Sequence, residues 1–168
     1  MLRSTAVVLR RLAVPALAAL MLSACASADV SVINKASDAA IRNVRVKDIA
    51  VTVNTAKPNP ALKAALEQQL SEKLAKCAKG SADHRMDVTI NDFEEANIGQ
   101  AIMIGDEIEL EGRVLLTDLA TNQPTGEYYV QRKFFWGGLL GAAMMSDPEA
   151  SLSKGFAESV CEEVFGAS

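Results

Sequence analysis

Apolar and polar residues alternate along several stretches of the chain. Between residues 43 and 53, Val44 and Val46 share one parity, and beyond Asp48 the apolar positions take the other. Alternation of period two is typical of a β-strand, and a change of parity inside it predicts a bulge near Asp48. The same alternation predicts three further strands, over residues 85–93, 107–118 and 127–136.

The last two predicted strands are joined by a turn-forming segment, residues 121–126, and we expect them to form a hairpin. Apolar residues occupy even positions in both strands, so even positions must oppose even positions if the apolar faces are to meet. One register with this property pairs Leu116 with Tyr128 and Gly112 with Arg132. In that register, Gly112 leaves room for the long arginine side chain.

Two segments carry the signals of a helix start. Asn59 and Asp147 each precede a proline, and both side chains can cap a helix whose first position suits proline. Gly80 is expected to end the first helix. Apolar residues recur at helical spacing and give each helix one apolar face. These residues are Leu62, Leu66, Leu70 and Leu74 in the first helix, and Leu152, Phe156, Val160 and Val164 in the second.

The order of elements is strand, helix, three strands and helix, and it predicts a single α+β domain over residues 43–168. We expect an antiparallel sheet of about four strands with two helices packed on one of its faces, because each helix must bury its apolar stripe.

The N-terminal segment has a different character. Its basic head contains Arg3, Arg10 and Arg11 without any acid, and an apolar run follows over residues 12–22. This layout is typical of a secretory signal, and the run is too short to cross a bilayer as a helix. We therefore assign residues 1–24 to a signal peptide.

The signal ends in Leu22-Ser23-Ala24-Cys25, which resembles the lipobox of bacterial lipoproteins. The resemblance implies that Cys25 receives a diacylglycerol, that cleavage precedes it, and that its new amine is acylated. Ala26 and Ser27 follow without an aspartate, which by similarity to enterobacterial sorting signals implies the outer membrane, facing the periplasm. Small and polar residues dominate residues 25–42, and we expect a tether there with a short strand at 30–33.

Composition and net charge argue against some classes of partner. Removal of the 24-residue signal leaves 144 of the 168 residues, and the loss of its three arginines takes the formal charge from −4 to −7. A net acidic domain argues against nucleic acid as a partner and against electrostatic docking on anionic lipid. The expected contacts are therefore the membrane, through the lipid, and a protein partner in the envelope.

The sequence contains few residues that are suited to catalysis or to metal binding. His84 is the only histidine, and we expect it to be a solvated residue at the mouth of a strand. The adjacent acids Glu94-Glu95 and Glu162-Glu163 are typical of a solvated surface, and no nucleophile elbow or phosphate-binding glycine pattern is present. We expect no catalytic residue, no metal site and no cofactor.

Two cysteines remain beyond the anchor. Cys77 and Cys161 each lie on the apolar side of a predicted helix, near its end. An even pair in an oxidising compartment favours a disulfide, and two buried free thiols are the alternative.

Two apolar stretches, residues 98–104 and 134–145, follow predicted strands. One interpretation is that they close the core beneath the second helix. The other is that they form a composite apolar patch for a partner or for lipid. The predicted contact residues of that patch are Ile98, Ile102, Met103, Trp136, Leu139, Leu140 and Met144.

The whole layout is similar to a group of small periplasmic lipoproteins that includes the lipopolysaccharide-assembly lipoprotein and auxiliary lipoproteins of lipid transporters. The shared features are the lipobox, the Asn59-Pro60 helix start, the turn entry at 117–121 and the glycine-rich segment 137–141. The resemblance implies a non-enzymatic, lipid-anchored accessory protein. The alternative is a carrier for a lipid or other apolar ligand, and a hydrolase ranks last.

Overall fold

Five strands and three helices make up the part of the chain that the structure, a computed structural model, describes: residues 26–94, 106–136 and 147–166. The elements in chain order are β1 (Ala26–Asn34), α1 (Asp38–Asn43), β2 (Val44–Val53), α2 (Pro60–Cys77), β3 (Ala82–Glu94), β4 (Asp106–Asp118), β5 (Pro124–Trp136) and α3 (Pro148–Ser159), which continues as a π-helical segment (Val160–Val164). No helix among these described residues is long and apolar enough to cross a membrane.

The strands form one sheet in the order β1-β5-β4-β3-β2. The α+β class is confirmed, with α2 and α3 packed together over the sheet. Three details differ from the expectation: β1 is a fifth strand, α1 is a third helix, and β2 pairs with β3 in parallel, while the other three strand pairs are antiparallel. The parallel pair follows from the connection, because α2 carries the chain back along the sheet before β3 begins. The predicted bulge in β2 is confirmed by a register shift between Val46 and Asp48.

The segment expected to be a tether, residues 25–42, is regular structure over much of its described part: β1 contains the short strand expected at 30–33 and extends beyond it at both ends. β1 pairs with β5 from Ala26 opposite Phe134 to Asn34 opposite Glu127, and α1 follows almost at once. Small polar side chains made the strand hard to recognise in the sequence. Every second position of β1 lies away from the helices, where no apolar side chain is needed for packing. Val30, at an inward position, packs against the core.

The core lies between the helices and the even-numbered positions of β3, β4 and β5. Both helical stripes are buried, as expected, and Asn59 and Asp147 cap their helices by accepting the N–H of Leu62 (2.9 Å) and of Ala150 (3.0 Å). Side chains that are fully buried in this core include Leu62, Leu66, Leu70, Met86, Ile90, Leu110, Leu152 and Phe156.

The two long helices run side by side in the same direction. At their starts, Asn59 Nδ2 donates to Glu149 Oε1 at 3.4 Å. At their ends, a disulfide joins Cys77 to Cys161 with the two Cα atoms 5.7 Å apart. Of the two alternatives for these cysteines, the structure therefore contains the disulfide.

The β4–β5 register that we expected is wrong by two residues. Leu116 lies opposite Gly126, and Gly112 lies opposite Val130. The turn closes early because Asp118 Oδ1 accepts the N–H groups of Ala120 and Thr121, both at 2.8 Å. Residues 124–126, which we assigned to the turn, are therefore the start of β5.

The physical reason for Gly112 is also different from the one expected. A Cβ atom at this position would lie 3.0 Å from the ring of Phe156 and 2.8 Å from Cδ1 of Ile90. The glycine therefore makes room for the α3 phenylalanine, and the arginine side chain is not what requires it.

Candidate functional site

One end of the sheet lies next to the residue predicted to carry the lipid. Cys25 is outside the described residues, but Ala26 is already paired with Phe134, and Phe134 is paired with Ile108. The start of β1, the start of β4 and the end of β5 therefore share this end, which we call the anchor end. The opposite end, with the β4–β5 turn and the disulfide, we call the distal end.

Most residues of the predicted apolar patch lie outside the described residues. They are Ile98, Ile102, Met103, Leu139, Leu140 and Met144. For Trp136 the structure describes the backbone, opposite Asp106 at the anchor end, and not the side chain. Because β3 ends at Glu94, opposite Glu109, the chain leaves for both apolar segments from the anchor end.

The sheet face away from the helices carries a polar network on β4 and β5. Tyr129 donates its hydroxyl hydrogen to Glu111, and Gln131 donates through its amide to both Glu109 and Glu111. Lys133 Nζ lies 3.1 Å from Glu109 Oε2. Each carboxylate therefore accepts hydrogen bonds from neighbouring side chains on the sheet. These side chains satisfy one another and form a continuous polar surface.

Hydrogen bonding shifts two pKa values in this network. The Tyr129 hydroxyl, which donates to Glu111, holds the pKa of that carboxyl below its usual value. The same bond raises the pKa of Tyr129 to about 12, because the phenolate would lose its hydrogen bond and lie beside a carboxylate.

His84 is buried, with 3% of its surface exposed, so the expectation of a solvated residue is wrong. Its Nδ1 lies 2.9 Å from the carbonyl of Ala82, which can only accept, so Nδ1 carries the hydrogen. Nε2 shares a hydrogen bond with Thr125 Oγ1 at 3.0 Å, and Asp118 Oδ2 lies 4.0 Å from Nε2. These groups border a pocket of about 240 Å³ at the distal end.

Asp118 links this pocket to the β4–β5 turn. The backbone N–H of Thr121, followed by that of Ala120, holds the pKa of Asp118 below its usual value. Oδ1 of this carboxylate thus accepts hydrogen bonds from the turn, while Oδ2 faces His84. The arrangement holds the hairpin tip against β3. It lacks the hydrogen bond between an acid and Nδ1 that a Ser-His-Asp type of triad requires.

A larger groove of about 390 Å³ also opens at the distal end, between the end of β1, α1 and the end of α3. Val32 and Phe165 contribute apolar surface on opposite sides of it, and the charged residues Lys35, Asp38, Arg42 and Glu163 surround it. Val32 is 49% exposed, and its neighbour Ile33 is 57% exposed. We call this feature the distal groove.

Sequence reasoning missed both distal features. The burial of His84 depends on Thr125, 41 positions later, and on the early closure of the turn. The distal groove joins residues of β1 to the C-terminal helix, which no periodicity connects. Among the described residues, no group of His, Cys, Asp and Glu is placed to hold a metal ion.

No protein-family model matches this chain, and no curated protein matches it in sequence. Among solved structures, the chain is similar to the PelC dodecamer from Paraburkholderia phytofirmans at 9% identity and a TM-score of 0.49, over 80% of this chain and 95% of that one. It is similar to a minor lipoprotein from Acinetobacter baumannii at 14% identity and a TM-score of 0.43, over 71% and 91%. A protein from Xanthomonas campestris matches at 14% identity and a TM-score of 0.42, over 73% and 86%. These likenesses are distant.

Proposed function

We propose that this protein is a non-enzymatic, lipid-anchored accessory protein of the bacterial envelope, which supports assembly or transport through contacts with a protein partner. The proposal places it on the outer membrane, facing the periplasm. The observation that carries it is the segment Leu22-Ser23-Ala24-Cys25, which resembles a lipobox and is followed directly by a strand that pairs with β5 from Ala26 onward.

The short connection between lipid and fold has a mechanical consequence. A flexible tether would let the domain sample many orientations, whereas a strand that is paired from Ala26 onward holds the anchor end close to the bilayer. Both apolar segments leave the sheet at that end, at Glu94 and Trp136. The predicted patch would then lie near the membrane, where an integral partner or the lipid itself could meet it.

The alternative function, a carrier for an apolar ligand, needs a cavity between sheet and helices. In the described part of the chain that space holds side chains with no exposed surface, such as Leu66, Ile90 and Phe156. The two pockets lie at the distal end, and charged or polar residues surround both. These observations favour the accessory function over the carrier.

A hydrolase is also less well supported. Its one candidate base, His84, hydrogen-bonds to the Ala82 carbonyl through Nδ1 and to the Thr125 hydroxyl through Nε2. Both ring nitrogens therefore form hydrogen bonds that hold the strand ends together. Asp118 does not orient the ring through Nδ1. His84 fits a structural role at the hairpin tip.

The proposal is tested by affinity capture of the full-length protein from detergent-solubilised membranes of its own cells. We expect one envelope protein to copurify in a fixed ratio, and we expect the double variant Leu139→Ser, Leu140→Ser to lose it. Leu119→Ser, at the distal end, serves as the matched control and should retain the partner. A carrier would instead copurify with a lipid that mass spectrometry detects.

Thermal denaturation separates function from folding in the same variants. If the two leucines belong to a partner surface, the double variant melts near the wild type. If they close the core, each substitution costs several kcal/mol, about 2–5 per large-to-small change. Strong destabilisation together with loss of the partner would contradict the patch.

A further inference from the structure

We propose that the outer edge of β1, together with the distal groove beside it, docks an extended segment of another envelope protein as a sixth strand. This inference deepens the proposed function by naming the surface and the kind of partner, and it rests on that function for the position of the membrane.

The unpaired backbone groups of a sheet edge determine which kind of partner can bind there. In the described part of the chain β1 has one neighbour, β5, so half of its backbone N–H and C=O groups point outward. These donors and acceptors alternate along the strand, and an extended polypeptide is the partner that satisfies them in order. The pairing of β1 shifts only at Ile33, so the edge from Ala28 to Val32 remains regular.

The two edges of the sheet differ in how they are protected. β2, at the opposite edge, carries Arg45, Lys47 and Asp48 and has a bulge between Val46 and Asp48. Charges and bulges are the devices that natural sheets use to prevent added strands. β1 has one charged residue, Asp29.

Apolar exposure is concentrated at the end of the unprotected edge. Val32 and Ile33 are the large hydrophobic residues that are exposed among the residues the structure describes. Val32 also lines the distal groove, where Phe165 is half-buried. An apolar side chain of an added strand could enter the groove beside Val32, so backbone pairing would supply affinity and the groove would supply selectivity.

The position of this surface, at the far end of β1 from the proposed anchor, disfavours the bilayer as its occupant. Ile33 is seven residues along the strand from Ala26, which corresponds to about 23 Å at 3.3 Å per residue. An anchor at Cys25 keeps Ala26 next to the membrane, so the exposed pair lies toward the periplasm. The partner segment must therefore come from a protein that reaches the periplasmic space.

The same geometry disfavours a second copy of this chain. Antiparallel pairing of two β1 strands would put their Ala26 residues at opposite ends of the pair, about 26 Å apart, although both must lie at one membrane. Pairing of β1 with β2 of another copy meets the charges of Arg45 and Lys47. An added strand from a different protein avoids both conflicts.

Charge is not expected to drive this contact. Lys35 and Asp38 lie 3.8 Å apart with both side chains largely exposed, and the groove also holds one further base, Arg42, and one further acid, Glu163. Since the groove charges balance and the β1 edge adds only Asp29, binding should change little with salt concentration.

Site-specific photocrosslinking in living cells tests the proposal on the full-length protein. The photoreactive residue p-benzoylphenylalanine replaces Ile33 in one variant and Ala50, exposed on the β2 edge, in the matched control. We expect an adduct with a different envelope polypeptide from position 33 and none from position 50. Mass spectrometry then maps the crosslinked segment, which is synthesised as a peptide.

Binding of that synthetic peptide to the purified mature protein completes the test. Val32→Lys, which adds a charge to the edge, should weaken binding at least tenfold, while Thr52→Lys on the β2 edge should leave it unchanged. Melting curves verify that both variants fold. An adduct with a second copy, an equal adduct from position 50, the absence of an adduct, or unchanged binding by Val32→Lys would each overturn the proposal. Because the peptide assay needs no lipid, its outcome is independent of whether Cys25 is acylated.

Discussion

The disulfide between Cys77 and Cys161 should be a major source of stability. It joins the ends of α2 and α3 across a sequence separation of 84 residues. In the chain-entropy model, closing a loop of that length lowers the entropy of the unfolded chain enough to stabilise the fold by about 4.6 kcal/mol as an upper value. That is a large part of the total stability of a typical domain, about 5–15 kcal/mol.

The double variant Cys77→Ala, Cys161→Ala tests this magnitude by urea denaturation. We expect the free energy of unfolding to fall by about 2–5 kcal/mol, the usual cost of removing a native disulfide. With a urea dependence of about 2 kcal/mol per molar, the midpoint should shift by about 1–2.5 M. Reduction of the wild type should reproduce the shift. A midpoint unchanged by both treatments would refute the bridge as a stabilising element, and two reactive thiols in denatured, unreduced protein would refute the bridge itself.

Three further predictions concern single side chains. Asn59→Ala and Asp147→Ala should each cost about 0.5–2 kcal/mol in thermal denaturation, because each removes a helix cap; unaffected melts would reject the caps. Ultraviolet titration should place the pKa of Tyr129 at about 12. The stability that this hydrogen bond contributes is present below pH 10.0 and is lost as pH rises through about 12; ionisation at its ordinary value would contradict the bond. Gly112→Ala should destabilise by about 1–3 kcal/mol through overpacking against Phe156, and a neutral result would show that the ring can move aside.

The helices could be predicted closely because their signals are local. Each cap, with the proline behind it and the apolar stripe after it, lies within a few turns of chain, and Asn59 and Asp147 form the expected bonds. The bulge of β2 could be predicted equally well, since the change of parity that indicates it occurs among consecutive residues. The strand pairing was harder, because periodicity fixes which residues face inward and leaves the register open by steps of two.

The hairpin illustrates that limit. Even positions do oppose even positions, but Asp118 closes the turn early, and the register differs from the expected one by two residues. The length of β1 was underestimated for a different reason: its inward positions include small residues, and its partner β5 lies about a hundred positions away in the chain, so local hydrophobicity underestimates the strand. The burial of His84 follows from the same long-range contacts and had no local signal.

The distal groove and the unprotected edge could not be predicted at all from sequence patterns. They arise where the first strand and the last helix meet, at Val32 and Phe165, and where one edge strand carries fewer charges than the other. Both depend on strand order, which periodicity does not determine.

We propose that Cys25 anchors this domain to a membrane through lipid. Metabolic labelling with a fatty-acid analogue, followed by detection of the label on the purified protein, tests it most directly. We expect the wild type to carry the label and Cys25→Ala to carry none, with Cys77 and Cys161 joined to each other in both. Equal labelling of wild type and Cys25→Ala, or no label on the wild type, would contradict the account.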